Sequence, residues 1–352
     1  MPEKDQPLAS LLLLTYNQEG FASLAVRSAL TQDYGRLEVV ICDDGSTDGT
    51  VSAIERELEE FDSTVVVKTY FSKKNTGLIS NFNRAISMCQ GDYIVAMGGD
   101  DISSPSRTDA CVKAFDADPD CMLVLSSWEC ISDAGKHAEG GRLLADGCYS
   151  YASDEVGRSV YAGAPVCGAA AAYRRELFDR FGSIKEGRGG GEDNYYWFRA
   201  LLLGHIRTLS EPLVLWRRHA GCLSNARLPD EVKVSDDEAY KINAVKKYYR
   251  FLRNHEKMYA QWWIDLETAS MGRAVSGKMN KRLKSLCYLY CELLRFKRYS
   301  LTPVPFSLWS KSLVRLLPYC TSFWVLRRVF IRHFCLWFSG GKRSAYFEKR
   351  VY

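Results

Sequence analysis

The chain holds 352 residues, enough for one large core and a second region, and its 47% hydrophobic and 25% charged residues exclude a disordered or fibrous protein. Charge is divided unevenly: residues 1–238 contain 24 Lys and Arg against 37 Asp and Glu, whereas the last 114 residues contain 23 against 5. A basic C-terminal third indicates a surface for phosphate, nucleic acid or anionic lipid.

The first part of the chain alternates short apolar runs with amphipathic segments. This pattern is typical of α/β proteins with a Rossmann-like open sheet flanked by helices. The predicted strands are residues 8–14, 37–42, 64–70 and 92–97, and the predicted helices are residues 20–31, 48–61 and 78–89. Ligands of such sheets bind beyond the carboxyl ends of the strands.

The following part is less regular. We predict a helix at 106–116, an extended segment at 121–128, a loop at 135–147, helices at 173–181 and 194–203, and a strand at 211–216. From about residue 236, aromatic and basic residues alternate at helical spacing. We therefore predict two domains: an α/β domain at residues 1–230 and a basic, aromatic-rich, mainly helical region at residues 231–352.

Cysteine usage and the N-terminus indicate the compartment. The twelve cysteines form no CxxC pair and no zinc-like spacing with histidine, which favours free buried thiols. The segment MPEKDQPLAS lacks the basic and apolar stretches of a secretory signal. We expect a protein of the reducing cytoplasm.

The most informative cluster is GGDD at residues 98–101, directly after the predicted 92–97 strand. Adjacent carboxylates repel each other and lose hydration unless a cation compensates them. Asp100 and Asp101 are therefore candidates for a Mg²⁺ or Mn²⁺ site that bridges to a substrate diphosphate. An ordinary turn after a strand is the alternative, because Asp and Gly are common in turns.

Two more polar clusters follow predicted strands, LLTYNQE at residues 13–19 and DDGSTD at residues 43–48. Tyr16 can stack on a base, Asn17 or Glu19 can bond its edge, and Asp44 can accept hydrogen bonds from a base or ribose. Each cluster also fits a plain turn or helix cap, for example at Thr15. Three such clusters at neighbouring strand ends exceed what turn chemistry requires.

Taken in order, these motifs resemble those of the nucleotide-diphospho-sugar transferases of the GT-A fold, specifically family two of the inverting glycosyltransferases. The resemblance covers residues 8–225 and includes LLTYNQEGFASLAVRSALTQDY, LEVVICDDGSTDGT, NTGLISNFNRAI, GDYIVAMGGDD, GGGEDNYYWFRALLLG and WRRHAGCLS. It implies a GT-A fold and transfer of one sugar from a nucleotide-diphosphate sugar to a hydroxyl of a glycan or lipid-linked glycan, as in bacterial surface polysaccharide synthesis.

The resemblance also implies roles for residues. The donor contacts would be Thr15, Tyr16, Asn17, Glu19, Asp44, Asn83, Asp100 and Arg217, and the ligands of a Mn²⁺ or Mg²⁺ ion would be Asp100, Asp101 and His219. Two departures stand out, because Gly98 and Gly99 occupy the first places of the family's Asp-Xaa-Asp motif and Phe82 stands where many relatives have arginine. Metal affinity would then be weak, or a ligand would come from elsewhere.

Glu192 and Asp193 stand where the family places its general base, after the glycine run at residues 189–191. The resemblance assigns the base to Asp193, with Glu192 as its neighbour. Such a base removes the proton of the acceptor hydroxyl during direct displacement, which inverts the anomeric centre. From spacing alone, two acids at a helix start also fit plain stabilisation by the helix dipole.

Residues 323–338, FWVLRRVFIRHFCLWF, are too short and too charged to span a bilayer. As an amphipathic helix they would lie on an anionic membrane surface, which would place the chain at the inner face of the membrane. Alternatively, the aromatic residues pack against the core or against another protomer in a homo-oligomer. Nucleic acid is the weaker candidate partner, because no recognised binding motif accompanies the charge.

A nonprocessive enzyme is the leading hypothesis, because the QxxRW motif and the several spanning helices of processive synthases are missing from the sequence. A catalytically silent nucleotide-sugar-binding scaffold is the alternative, supported by Gly98 in place of an acid.

Overall fold

The computed structural model describes residues 6–61, 64–150, 167–185 and 191–222, and nine residues between 257 and 269. The strands in these ranges are β1 Ala9–Thr15, β2 Leu37–Asp43, β3 Val66–Phe71, β4 Tyr93–Gly98, β5 Ile102–Ser103, β6 Cys121–Ser132, β7 His137–Arg142, β8 Gly147–Ser150, β9 Ala171–Arg174 and β10 His205–Arg218. The helices are α1 Ala22–Leu30, α2 Thr50–Glu60, α3 Leu78–Met88, α4 Arg107–Asp116, α5 Glu176–Phe181 and α6 Glu192–Leu203.

The strands form one mixed sheet in the order β3-β2-β1-β4-β9-β6-β10-β5, with β7 paired to β6 and β8 paired to β10. β1 pairs in parallel with β2 and β4, and β10 pairs in parallel with β6. β9 is antiparallel to both β4 and β6, so β4 and β6 point the same way. The carboxyl ends of β1, β2, β4, β6 and β10 therefore meet at one edge.

Both faces of the central strands are buried, which explains their continuous apolar sequences. Alternate side chains enter opposite core layers, since successive strand residues face opposite sides. Leu12, Val40 and Ile94 pack in the layer that contains α3 and α6 residues, whereas Leu11 and Leu13 pack in the layer that contains α1, α2 and α4 residues. The predicted α/β fold class is confirmed.

Two local predictions are wrong. The expected loop at 135–147 contains β7, whose HAEGGR sequence is exposed and lacks apolar alternation, so its pairing with β6 left no hydrophobic signal. The expected helix at 173–181 begins as β9, and only Glu176–Phe181 is helical. β9 reads AAYR, and its small residues fit between β4 and β6 despite their helical propensity.

Described residues between 257 and 269 are helical and pack against α6. The Trp262 indole stacks on the Phe198 ring with centroids 4.5 Å apart, and the buried Arg199 guanidinium binds both Asp265 oxygens at 3.0 and 3.1 Å. The rest of the predicted 231–352 region, including 323–338, lies outside the described residues. Within those that are described, the helices fall short of the length and apolarity that a bilayer crossing needs.

Candidate active site

Four of the sequence motifs meet at the edge where the parallel strands end. The β1–α1 loop carries Tyr16, the β2–α2 loop carries Asp44, the segment after β4 carries Asp100 and Asp101, and the end of β10 carries His219. This is the edge at which open α/β sheets bind ligands.

Hydrogen bonds between the first two loops fix their shape. The Thr15 hydroxyl donates to Asp43 Oδ2 at 2.7 Å, and the Thr47 amide donates to Asn17 Oδ1 at 2.8 Å. Glu19 Oε2 accepts from the Gly49 amide at 3.1 Å, just before α2. Thr15, Asn17 and Glu19, all predicted to contact the sugar donor, thus hold the two loops together. Tyr16 is 42% exposed, and its ring is available for stacking.

Asp44 and Asn83 are engaged by the protein itself. The buried Asp44 carboxylate accepts from the Thr76 amide and hydroxyl at 2.9 and 2.8 Å and from the Gly77 amide at 2.7 Å, which fixes the approach to α3. The Asn83 amide donates to the Ile184 carbonyl at 2.7 Å and accepts from the Ile184 amide at 3.1 Å. Their nucleotide contacts stay predictions, and the structure adds a scaffolding role to each.

The two carboxylates of GGDD have different surroundings. Asp101 is buried, and its Oδ1 accepts from the Arg217 amide at 2.8 Å. Burial, and next the charge of Asp100, raise the pKa of Asp101 well above its usual range. Asp100 is half-buried, and its Oδ2 lies 2.9 Å from His219 Nε2. Asp100 is thus the more accessible metal ligand of the two.

The glycines of GGDD are required by close packing. A Cβ on Gly98 would lie 2.7 Å from Asp100 Oδ1 and 2.9 Å from Asp101 Oδ2. A Cβ on Gly99 would lie 2.5 Å from both Gln18 Oε1 and Thr15 Cγ2. The carboxylates therefore fold back over the position where the family pattern has its first acid.

Arg217 is turned inward. Its Nε donates to the Asp100 carbonyl at 2.8 Å, and its Nη1 donates to the Ser132 and Asp133 carbonyls at 2.8 and 3.1 Å. Only 2% of this residue is exposed. Arg217 thereby joins the ends of β4, β6 and β10, and its predicted diphosphate contact stays a prediction that this geometry does not favour.

A divalent ion fits the residues beside this buried arginine. Ligand atoms of Asp100, His219 and Cys222 lie within 4.8 Å of one another, and they combine carboxylate, imidazole and thiol groups. The ring of Phe21, 4.8 Å from the His219 ring, fixes the imidazole plane. The sequence-based prediction included Asp100 and His219 but overlooked Cys222. The expectation of no zinc-like spacing between histidine and cysteine missed the His-Xaa-Xaa-Cys spacing of His219 and Cys222, which two ligands of one ion can have.

Glu192 and Asp193 form the first turn of α6. The Asn194 amide and side chain each donate to Asp193 Oδ1 at 2.8 Å, which orients that carboxylate. Glu192 is buried against the Cα of Gly168, and burial, followed by the charge of Asp193, raises the pKa of Glu192 to about 8. Gly189 and Gly190 lie outside the described residues.

Cys167 lies in the segment between two pairs of acidic residues, Asp100 with Asp101 and Glu192 with Asp193. Cys167 is half-buried, and desolvation raises the pKa of its thiol to about 12. Smaller contributions in the same direction come from the negative charges of Asp101 and Asp193. Gly168, the next residue, packs against Glu192 and Asp193, and the turn Gly168–Ala170 lies beside β4, which leads to Asp100 and Asp101. The segment that begins at Cys167 therefore lies between the candidate base and the strand that leads to the candidate metal site.

Comparison with known proteins agrees with this geometry. Residues 10–182 match the profile of the family described as Glycosyl transferase family 2. A chondroitin synthase of Escherichia coli is 34% identical over 39% of this chain and 20% of its own length, and a hyaluronan synthase of Pasteurella multocida is 36% identical over 31% and 11%. An uncharacterized glycosyltransferase of Nostoc is 26% identical over 65% and 70%. The chain thus spans a small part of the two synthases.

Solved structures share the fold. S. aureus TarS 1–349 in complex with UDP-GlcNAc has a TM-score of 0.53 at 18% identity, covering 84% of this chain and 89% of that one. The same protein in complex with UDP has a TM-score of 0.51 at 14% identity, covering 88% and 89%. These matches confirm the GT-A architecture.

Proposed function

The chain belongs to glycosyl transferase family 2, and from this membership we propose that it transfers one sugar from a nucleotide-diphosphate donor to a hydroxyl of a glycan or lipid-linked glycan. The transfer inverts the anomeric centre, and the enzyme is nonprocessive. Relatives named as chondroitin and hyaluronan synthases support a role in bacterial surface polysaccharide synthesis. A UDP-sugar is the first donor to test, because TarS is described in complex with UDP-GlcNAc.

The observation that supports this proposal is the position of the segment beginning at Cys167, which lies beside both β4 and the start of α6. The charges of Asp101 and Asp193 both act on this thiol, and Gly168 next to it contacts Glu192. A donor diphosphate beside Asp100 and Asp101 would thus have its sugar directed toward Asp193, as in-line displacement requires.

In the proposed mechanism Asp193 is the general base. Its carboxylate accepts the proton of the acceptor hydroxyl while the hydroxyl oxygen attacks the anomeric carbon and the bond to the diphosphate oxygen breaks. With its pKa near 8, Glu192 keeps its proton at neutral pH, so a single negative charge stands at the start of α6. Asn194 holds the Asp193 carboxylate in position.

Asp100, His219 and Cys222 would hold a divalent ion. When bound, such an ion supplies positive charge to the departing diphosphate. Arg107, buried and bonded to the Ala96 carbonyl at 2.7 Å, is a further positive charge that acts on Asp101 from within the protein.

We expect Asp193→Asn to lower turnover about 10²- to 10⁴-fold, the usual contribution of a general base. Donor affinity should stay within about threefold, because the substitution removes a proton acceptor and keeps the side-chain volume. The measurement is steady-state transfer or donor hydrolysis together with calorimetric donor binding. Asp109→Asn, on the surface of α4, is the matched control and should retain wild-type turnover. Equal turnover in Asp193→Asn and wild type would contradict the assignment.

The donor itself can be identified with a thermal-shift panel of nucleotide sugars, with and without Mn²⁺. A ligand at 100 times its dissociation constant adds about 2.7 kcal/mol to the stability of the native state, so a single stabilising donor would stand out. The scaffold alternative is favoured by Gly98 in place of an acid. It predicts tight donor binding with negligible turnover in both wild type and Asp193→Asn.

A further inference from the structure

We propose that Cys222 is the third protein ligand of the metal at this site, and that the site therefore selects a thiolate-binding transition ion, of the Zn²⁺ or Co²⁺ class, over Mg²⁺. The inference deepens the proposed function and rests on it for the role of the ion. It concerns a residue of the WRRHAGCLS segment to which the resemblance assigns no role, and a metal class different from the one the sequence predicts.

The three ligand groups are already close together. Asp100, His219 and Cys222 come from two segments that Arg217 ties together through the Asp100 carbonyl. Their ligand atoms lie within 4.8 Å of one another, with Asp100 Oδ2 and His219 Nε2 at 2.9 Å. With bond lengths of 2.0 to 2.3 Å, a tetrahedral ion needs its ligand atoms roughly 3.3 to 3.6 Å apart. Small side-chain movements therefore bring the three groups into that arrangement.

Asp101 is held away from the candidate metal site by its own contacts. Its carboxylate is buried and bound by the Arg217 amide at 2.8 Å, and the position of the usual first acid is held by Gly98. The acidic motif therefore presents one accessible carboxylate, that of Asp100. An ion held by Asp100 and His219 alone would lack a third protein ligand, and Cys222 lies where that ligand is needed.

The chemical types of the three ligand groups favour one class of ion. Mg²⁺ takes oxygen ligands in near-octahedral geometry, whereas a set of thiolate, imidazole and carboxylate suits Zn²⁺ and its substitute Co²⁺. The Cys222 thiol now donates to the Arg217 carbonyl at 3.2 Å. Binding forms a metal–sulfur bond and releases the thiol proton to solvent. If His219 binds the ion through Nε2, its ring proton must lie on Nδ1. The hydrogen bond that the Gly221 amide now donates to Nδ1 at 3.3 Å would then be lost.

A cobalt titration of the metal-free full-length protein tests the inference without relying on activity. We expect one Co²⁺ per chain to produce a near-ultraviolet thiolate-to-cobalt charge-transfer band. Cys222→Ser should abolish the band and weaken Zn²⁺ competition at least about 10-fold, since even the outer hydrogen-bonding partners of metal ligands contribute that much. Wild type and Cys222→Ser should bind Mg²⁺ with equal affinity.

The structure supplies a matched control. The described residues contain a second mixed set, Asp118, Cys148 and His205, at the opposite end of β10. Cys148→Ser should leave the band intact. Loss of the band in Cys148→Ser but not in Cys222→Ser would overturn the inference, as would a wild-type protein without the band. Donor turnover supported by Mn²⁺ in a protein without the band would leave the proposed function standing while this inference fails.

Discussion

Neighbouring carboxyl groups at the start of α6 differ in protonation because their surroundings differ. Glu192 is buried against Gly168, whereas Asp193 is half-buried and receives two hydrogen bonds from Asn194. Burial disfavours the charged form of Glu192, so the negative charge is concentrated on Asp193. This division supports the proposed proton-accepting role of Asp193.

The raised pKa of Glu192 predicts a pH-dependent stability. Between the ordinary value of 4.5 and about 8, the folded state binds more protons than the unfolded state, so Glu192 makes the protein less stable as pH rises through that window. Glu192→Gln removes this titration. At pH 7 we expect the free energy of unfolding of the variant to exceed that of wild type by about 3 kcal/mol. This difference should disappear below pH 4.5.

Chemical denaturation at pH 4.5, 6 and 7.5 measures this difference. Glu176→Gln, an exposed acid in the first turn of α5, is the control and should show a flat difference across the same range. A Glu192→Gln stability gap that does not grow with pH would show that Glu192 is ionised in the folded protein.

Sequence reasoning identified the residue types of the site better than their contacts. Asp100 and His219 were predicted from motif order and do meet. The inward turn of Arg217 depends on carbonyls more than 80 residues away in sequence, and local pattern does not encode such contacts. No role was predicted for Cys167 and Gly168, because their position matters only when β9 and α6 are packed together.

Among the elements, α6 carries Asp193 at its start and is anchored at its middle by two buried contacts. Arg199 forms a fully buried pair with Asp265, and Phe198 stacks on Trp262. Part of the basic C-terminal region therefore supports the helix that positions the candidate base. This contact agrees with the packing alternative for those described residues.

We expect Asp265→Asn to destabilise the protein by about 3 to 5 kcal/mol, because it leaves the buried Arg199 charge without its partner. Urea denaturation provides the measurement. Asp109→Asn breaks the exposed Lys113–Asp109 pair and should cost less than about 1 kcal/mol. Equal effects of the two substitutions would show that Asp265 does not anchor α6.

Elements with strong periodicity were predicted well, and elements defined by their neighbours were not. The strands ending at Thr15, Asp43 and Gly98 have apolar runs that burial on both faces demands. β7 and β9 exist because they pair with β6, and their own sequences indicate loop or helix. Phe82, a departure from the family pattern, packs among Tyr173, Phe178 and Tyr196 in the core.

At the scale of the whole molecule, the carboxyl ends of the parallel strands place the candidate site at one edge of the sheet, and the basic residues are concentrated in the C-terminal third of the chain. The sequence predicted an open α/β sheet, but not that β9 would insert between β4 and β6. That insertion places Cys167 and Gly168, just before β9, between the two acidic groups.

The excess of basic residues after residue 238 predicts binding to anionic membranes. The full-length protein should sediment with vesicles containing phosphatidylglycerol and not with phosphatidylcholine vesicles. Raising salt from 0.1 to 1 M should release it, because the screening length falls from about 10 to 3 Å. Absence of sedimentation at low salt would favour packing against the protein itself, and binding to DNA at physiological salt would revive the nucleic-acid alternative.

Gly98 also constrains how this protein can change by mutation. A side chain at this position meets Asp100 Oδ1 and Asp101 Oδ2, and those carboxylates are held by His219 and by the Arg217 amide. An aspartate introduced at position 98 would thus disturb the acids it is meant to join. Evolution toward a motif with aspartate at position 98 would first have to loosen the contacts of Asp100 and Asp101 with His219 and Arg217. The order of mutational steps is therefore restricted by epistasis.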